Sequence, residues 1–212
     1  EQWRLGANAL LPNDISVTWV YQVDDDFHAR FSATSRHYQY IISEKPGKSN
    51  AIFAPFIVHP KSNIDYPLDV ELMNQAAQCL VGEHDFTTFR ASGCQAKTPV
   101  RVVHAIRVCR YQQFIVIDII ANAFLYNMVR NIVGALVDIG AKKRSMSWLG
   151  SILDQKSRLV GYKTMPPNGL YLVGVGYPKH KIINNCSHFR KIMLISGHLP
   201  LQSFSVIKQT LE

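Results

Sequence analysis

Three stretches of this 212-residue chain gather the side chains that could do chemistry. The first runs from Phe27 to Tyr40 and sets Arg30, Arg36 and Tyr38 among Phe27, Phe31 and Tyr40. The second, Gly82 to Arg90, ends in Phe89-Arg90. The third, Ala121 to Gly134, places Phe124-Leu125-Tyr126 ahead of Arg130. Aromatic rings interleaved with arginines suit two tasks: stacking on nucleobases, and gripping phosphates or carboxylates through forked guanidinium hydrogen bonds. The same pattern also describes half-buried aromatic strands whose arginines snorkel to solvent, and composition alone favours that plainer reading.

Other chemistries lack their residues. There is no phosphate-cradling G-x-x-x-x-G-K-[ST], and Gly174-Val175-Gly176 closes a strand with no helix after it, so no dinucleotide fingerprint exists. H-E-x-x-H and G-x-S-x-G are absent too. The histidines are scattered, and each reads as a surface or hydrogen-bonded residue before it reads as a ligand. Cys79, Cys94, Cys109 and Cys186 show no C-x-x-C spacing, which argues against structural zinc and a disulfide framework and for reduced thiols in a cytoplasmic protein. No run approaches the ~18 apolar residues of a membrane span, and Glu1-Gln2-Trp3-Arg4 does not open like a signal peptide.

The elements that must position the three stretches follow from periodicity. Gln2 to Leu11 reads as a short helix stopped by Pro12. Alternation at Ile15, Val17, Trp19 and Tyr21 predicts a half-buried strand. From Ser35 to Ser43 a second strand puts Arg36, Tyr38, Tyr40 and Ile42 on one face and His37, Gln39 and Ile41 on the other. Residues 44–67 read as a long loop with a short strand at Ile57-Val58. Asp69 caps a helix with Leu72, Met73, Ala76, Ala77, Leu80 and Val81 at helical spacing, stopped by Gly82. Arg101 to Arg110 and Phe114 to Ala121 form a hairpin across Tyr111-Gln112-Gln113. Helices follow at about Tyr126 to Gly140 and from Ser147, and Gly169 to Tyr177 is a last strand. Interleaved helices with hairpins predict an α+β (mixed α/β) fold, a largely antiparallel sheet flanked by helices. The segment from Lys179 to Glu212 has no strong periodicity beyond a possible strand at Ile192 to Ile195, and is left as an unassigned tail.

Charge narrows the partner. With 23 Lys and Arg against 15 Asp and Glu the chain carries +8, which favours a polyanion such as nucleic acid or an anionic membrane surface.

In order and spacing the three stretches resemble the signature blocks of the TruA family of tRNA pseudouridine synthases. Gly6-Ala7-Asn8-Ala9-Leu10-Leu11-Pro12-Asn13-Asp14-Ile15 and Gly169-Leu170-Tyr171-Leu172-Val173 match as well, so the similarity spans roughly Trp3 to Pro178. It implies a pseudouridine synthase fold with residues 1–26 ending an incomplete N-terminal lobe, 27–178 forming a C-terminal lobe, and 179–212 outside both. It also implies a cofactor-free isomerase that turns uridine into pseudouridine at tRNA positions 38–40 of the anticodon stem-loop, working as a homodimer with tRNA lying across it. Tyr38 matches the tyrosine that stacks on the flipped base and helps remove the C5 proton, a dual role suited to a flat ring with a polar tip. Arg130 matches the arginine that pairs with the catalytic carboxylate. Leu125 would pack beneath the base, and Arg30, Arg36 and Arg90 would contact RNA or the scaffold.

The resemblance places the nucleophilic aspartate in a Gly-Arg-Thr-Asp-type stretch upstream of the block with which this sequence begins. No acidic residue here stands in that context. Asp24 to Asp26 lie in a polar bend, Asp85 suits a turn, and Asp118 sits opposite Ile115, Ile117 and Ile119 as a structural carboxylate. The 212 residues alone are therefore expected to be inactive, with a non-catalytic tRNA- or RNA-binding chain as the alternative reading.

Overall fold

β1 (Ser35–Ser43) lies between two later strands, Phe114–Ala121 and Leu170–Gly176, and carries the end of the first stretch with aromatic residues beside arginine. The computed structural model describes residues 1–13, 15–20, 22–43, 67–112, 114–157 and 161–178. Of the loop expected over 44–67, residues 44–66 with the strand at Ile57-Val58 lie outside the described residues, as does the tail after Pro178. The chain divides into two units, one of residues 1–33 with 177 and 178, the other of residues 34–176 among those described.

In the first unit α1 (Gln2–Leu10) is a helix with no buried residue. The strand expected from Ile15 to Tyr21 is not found among its described residues, 15–20. A strand needs a neighbour to satisfy its backbone, and Val17 instead gives its N–H to Asn8 Oδ1 at 2.6 Å and accepts from Asn8 Nδ2 at 2.9 Å. Alternation named a pattern of faces but supplied no partner strand.

The second unit carries the sheet. After β1 come α2 (Val70–Ala77), β2 (Gly82–Asp85), β3 (Val100–Tyr111), β4 (Phe114–Ala121), α3 (Met128–Gly140), α4 (Trp148–Gln155) and β5 (Leu170–Gly176). The order across the sheet is β2-β3-β4-β1-β5, and every neighbouring pair is antiparallel. The α+β expectation and the hairpin hold, with Tyr111 paired to Phe114 instead of lying in the turn.

Facing is set by the register. Tyr40 stands opposite Ile117 and Ile42 opposite Ile115, and all four are buried with Ile106, Val108 and Ile119 against Met128, Ile132 and Leu136 of α3. On the other face Asp118 lies between His37 Nε2 and Gln39 Nε2, each at 2.9 Å, so it is the satisfied structural carboxylate expected of it.

β2 covers only the start of β3, and α2 serves the rest of that edge with side chains. Asn74 Oδ1 accepts from the Val108 N–H at 2.9 Å, and Gln78 Nε2 donates to the Ile106 carbonyl at 3.2 Å. An open edge is thereby closed to further strand pairing. α2 itself starts where Asp69 Oδ1 accepts from the Leu72 N–H at 3.0 Å, as a capping aspartate should.

Candidate functional site

Tyr38 lies on the core-facing side of β1, two residues before fully buried Tyr40, and is itself half-buried. Phe124 meets it edge-on, ring centroids 5.1 Å apart. Phe124 belongs to the turn between β4 and α3, which also holds buried Leu125 and exposed Tyr126. Asn127 ends that turn with φ of 59°, a left-handed conformation that asparagine tolerates better than most residues. The turn thus delivers Arg130 in the first turn of α3.

Arg130 is held on two sides. Its Nε donates to the Met165 carbonyl at 2.5 Å, and its Nη1 to Asn127 Oδ1 at 2.9 Å. No acidic side chain is among its partners, and its Nη2 makes no hydrogen bond among the described residues. A planar fork with one end open is suited to a carboxylate or phosphate oxygen.

Tyrosines on this side divide into two kinds. The Tyr40 hydroxyl donates to the Pro166 carbonyl at 2.7 Å, and the Tyr162 hydroxyl donates to the Thr88 carbonyl. Burial pushes both phenols up, Tyr162 to about 12, while the nearby Arg130 charge partly offsets the rise at Tyr40. Tyr38 has its hydroxyl bonded to nothing among the described residues. Its tip is available to a ligand.

Tyr40 went unremarked in the sequence beyond its place on a strand face. Its ring packs so close to Gly169 that a β-carbon there would sit 2.8 Å from it, and its hydroxyl helps fix the 165–166 backbone that orients Arg130. Only the pairing with a segment 126 residues away reveals this.

The remaining candidates separate. Arg36 Nη1 donates to the Asn122 carbonyl at 2.6 Å, tying β1 to the end of β4 near the Phe124 turn. Arg90 reaches the Cys94 and Ala96 carbonyls at 2.8 and 2.7 Å and folds the loop after residue 90 upon itself. That loop touches the same turn, because the Ala91 N–H donates to the Tyr126 carbonyl and the Tyr126 N–H to Cys94 Sγ. Tyr38, Leu125 and Arg130 are thus gathered around the 122–127 turn, with Arg36 and Arg90 at its flanks. Arg30 belongs to the first unit, exposed and 5.7 Å over the Phe31 ring.

Asp85 is the turn residue the sequence suggested, accepting from the Thr87 N–H at 2.9 Å. Burial works against its ionisation, but hydrogen bonds from Thr87 and the Lys156 charge prevail and lower its pKa. No group of three or more His, Cys, Asp or Glu side chains among the described residues could hold a metal ion.

Comparison with known proteins bears on what this arrangement does. Residues 76–178 match the family model described as tRNA pseudouridine synthase. A tRNA pseudouridine synthase A of Shewanella baltica (strain OS155) is 50% identical over 178 residues, covering 84% of this chain and 66% of that protein. The protein of the same description from Haemophilus influenzae (strain PittGG) is 51% identical over 177 residues, covering 84% and 64%. The chain spans just under two thirds of the length of these curated relatives.

Proposed function

We propose that this chain, which belongs to the tRNA pseudouridine synthase family, supplies the base platform and the carboxylate partner for converting uridine to pseudouridine in the anticodon stem-loop of tRNA. The reaction is an isomerisation. The bond from ribose C1′ to uracil N1 breaks, the ring turns, C1′ bonds to C5, and the C5 proton is lost while N1 gains one. The reacting base must leave its stack, which calls for a flat surface to receive it.

The observation that carries this reading is a Tyr38 hydroxyl with no hydrogen bond among the described residues, its ring against Phe124 of the turn that leads into Arg130, whose Nη2 is open among those residues too. A ring that only filled the core would have its hydroxyl tied to backbone, as those of Tyr40 and Tyr162 are. Tyr38 would stack on the base and present its phenol to C5, Leu125 would support the platform, and Arg130 would aim a carboxylate at C1′. A homodimer acting in the cytoplasm belongs to the same proposal, by analogy with the family.

The 212 residues contain no Gly-Arg-Thr-Asp stretch, and this observation favours binding without turnover for the chain by itself. Tritium release from tRNA labelled at uridine C5, run beside tRNA binding across a salt series, tests both parts. Salt-dependent binding with release at the no-protein level is the expected result. Release well above that level contradicts it.

A further inference from the structure

We propose that Tyr126 stacks on a second unpaired base of the bound RNA, flanking the one held on Tyr38. The inference rests on the RNA-binding reading above and adds a contact to it.

Tyr126 is 59% exposed, and no other aromatic side chain among the described residues of 34–176 is exposed. Its hydroxyl makes no hydrogen bond and its ring meets no other ring among the described residues. A single exposed apolar side chain is ordinary on a protein surface, but the peptide beneath this one is not loosely held. Its N–H donates to Cys94 Sγ at 3.4 Å, and its carbonyl accepts from the Ala91 N–H at 3.1 Å. Leu125 before it is buried, and the Asn127 side chain after it accepts from Arg130 Nη1. The backbone is thus fixed while the ring is left in water. Those two backbone bonds need no particular side chain at 126, so they do not account for the ring. A ring on a fixed backbone loses little freedom when it meets a flat ligand.

Position and charge select the ligand. Phe124, whose ring meets Tyr38 edge-on with centroids 5.1 Å apart, lies two residues earlier. The Cα atoms of Phe124 and Tyr126 are therefore within about 7 Å of each other. When a base leaves its stack, the base beside it loses a stacking neighbour, and a protein ring can take that place. No Asp or Glu occurs from Phe86 to Ile117 or from Ile119 to Val137, the stretches that supply the loop and the turn. Nothing acidic within them repels a phosphate chain. Every base has a flat π-face, so a tyrosine here would hold a base without reading its identity.

Salt dependence separates a stack from a phosphate contact. Binding of a tRNA transcript by the full 212-residue chain is measured across a salt series. Tyr126→Ala should weaken binding roughly tenfold, the loss expected of one base stack. The slope of log K against log salt should stay at the wild-type value, because no phosphate contact is lost. Tyr126→Phe and Tyr126→Trp, which keep a π-face, should bind within about threefold of wild type. Tyr126→Leu, apolar but without that face, should fall with alanine. Thermal melting of all four should match wild type, because an exposed ring adds little to the fold. Should alanine lower the melting point, leucine against phenylalanine makes the same comparison with large side chains. Wild-type affinity in Tyr126→Ala or in Tyr126→Leu overturns the stack while leaving RNA binding intact. A slope reduced by one phosphate's worth in Tyr126→Ala overturns it too. Absence of salt-dependent binding by the unaltered chain overturns the stack and the reading beneath it together.

Discussion

Arg130 and Met165 hold each other twice: the guanidinium Nε donates to the Met165 carbonyl at 2.5 Å, and the Met165 N–H donates to the Arg130 carbonyl at 3.2 Å. The first turn of α3 and the 164–166 segment are thereby tied together. Neighbouring residues reinforce the tie, since Tyr40 binds Pro166 and Asn131 binds Thr164. A guanidinium oriented by backbone loses less freedom on meeting its ligand than one swinging on a free side chain.

Asn131 bridges two loops. Its Nδ2 donates to the Phe89 carbonyl at 2.9 Å and its Oδ1 accepts from Thr164 Oγ1 at 2.7 Å, in a buried setting. Asn131→Ala leaves the Phe89 carbonyl without that donor and should cost about 2–3 kcal/mol. Urea denaturation reads this as a lowered midpoint at unchanged slope, and an unmoved midpoint refutes it.

The two strand tyrosines should respond oppositely to losing an oxygen. Tyr40→Phe removes the bond to Pro166 and should cost about 1 kcal/mol. Tyr38→Phe removes a hydroxyl with no protein partner among the described residues, and should stay within about 0.5 kcal/mol of wild type. Melting curves of both settle whether Tyr38 is kept for packing or for a ligand. Equal losses would mean that Tyr38 is a structural tyrosine like its neighbour.

Gly134 and Gly150 give a paired test of helix packing. A β-carbon at Gly134 of α3 would stand 2.0 Å from the Lys163 carbonyl oxygen, whereas Gly150 of α4 has open space around it. Gly150→Ala should stabilise by about 0.5–1 kcal/mol through helix propensity. Gly134→Ala should destabilise by about 1–3 kcal/mol, since overpacking has to displace backbone. Similar melting points for the two would show that the 162–165 segment does not press on α3.

Asp138 ties stability to pH. Burial raises its pKa against the opposing charges of Lys143 and Arg144, so the folded state holds its proton more tightly than the unfolded chain. Its ionisation therefore weakens the fold as pH rises through the ordinary carboxylate range into the raised one. Asp138→Asn should melt above wild type at pH 7, with the advantage shrinking as pH falls below the unfolded carboxylate's pKa. A gap that widens on acidification contradicts the assignment.

What the sequence disclosed and what it withheld divide by range of interaction. The faces of β1 and the apolar stripe of α3 follow from periods of 2 and 3.6, so Tyr38, Tyr40 and Ile42 sort correctly with no tertiary knowledge. Asp69 and Asp85 act within three residues of themselves and were equally readable. Four-residue β2 is too short for periodicity to announce, and it was seen only as part of a motif. Tyr40's service to Pro166 depends on the return of a distant part of the chain, which no local window contains. Arg90 stands in a signature block, and its hydrogen bonds to the Cys94 and Ala96 carbonyls make it a staple of its own loop, which the sequence does not disclose.

The central claim is that Tyr38 and Arg130 are the base platform and carboxylate partner of a pseudouridine-forming site. Joining this chain to the remaining third of the Shewanella baltica relative supplies what the 212 residues do not contain. Pseudouridine formed in tRNA by that fusion is then measured beside its Tyr38→Phe and Arg130→Gln forms. The account predicts turnover by the fusion, a drop of about 10²-fold or more in each variant, and melting of the Tyr38→Phe form unchanged. Full turnover in the Arg130→Gln or Tyr38→Phe fusion would contradict it.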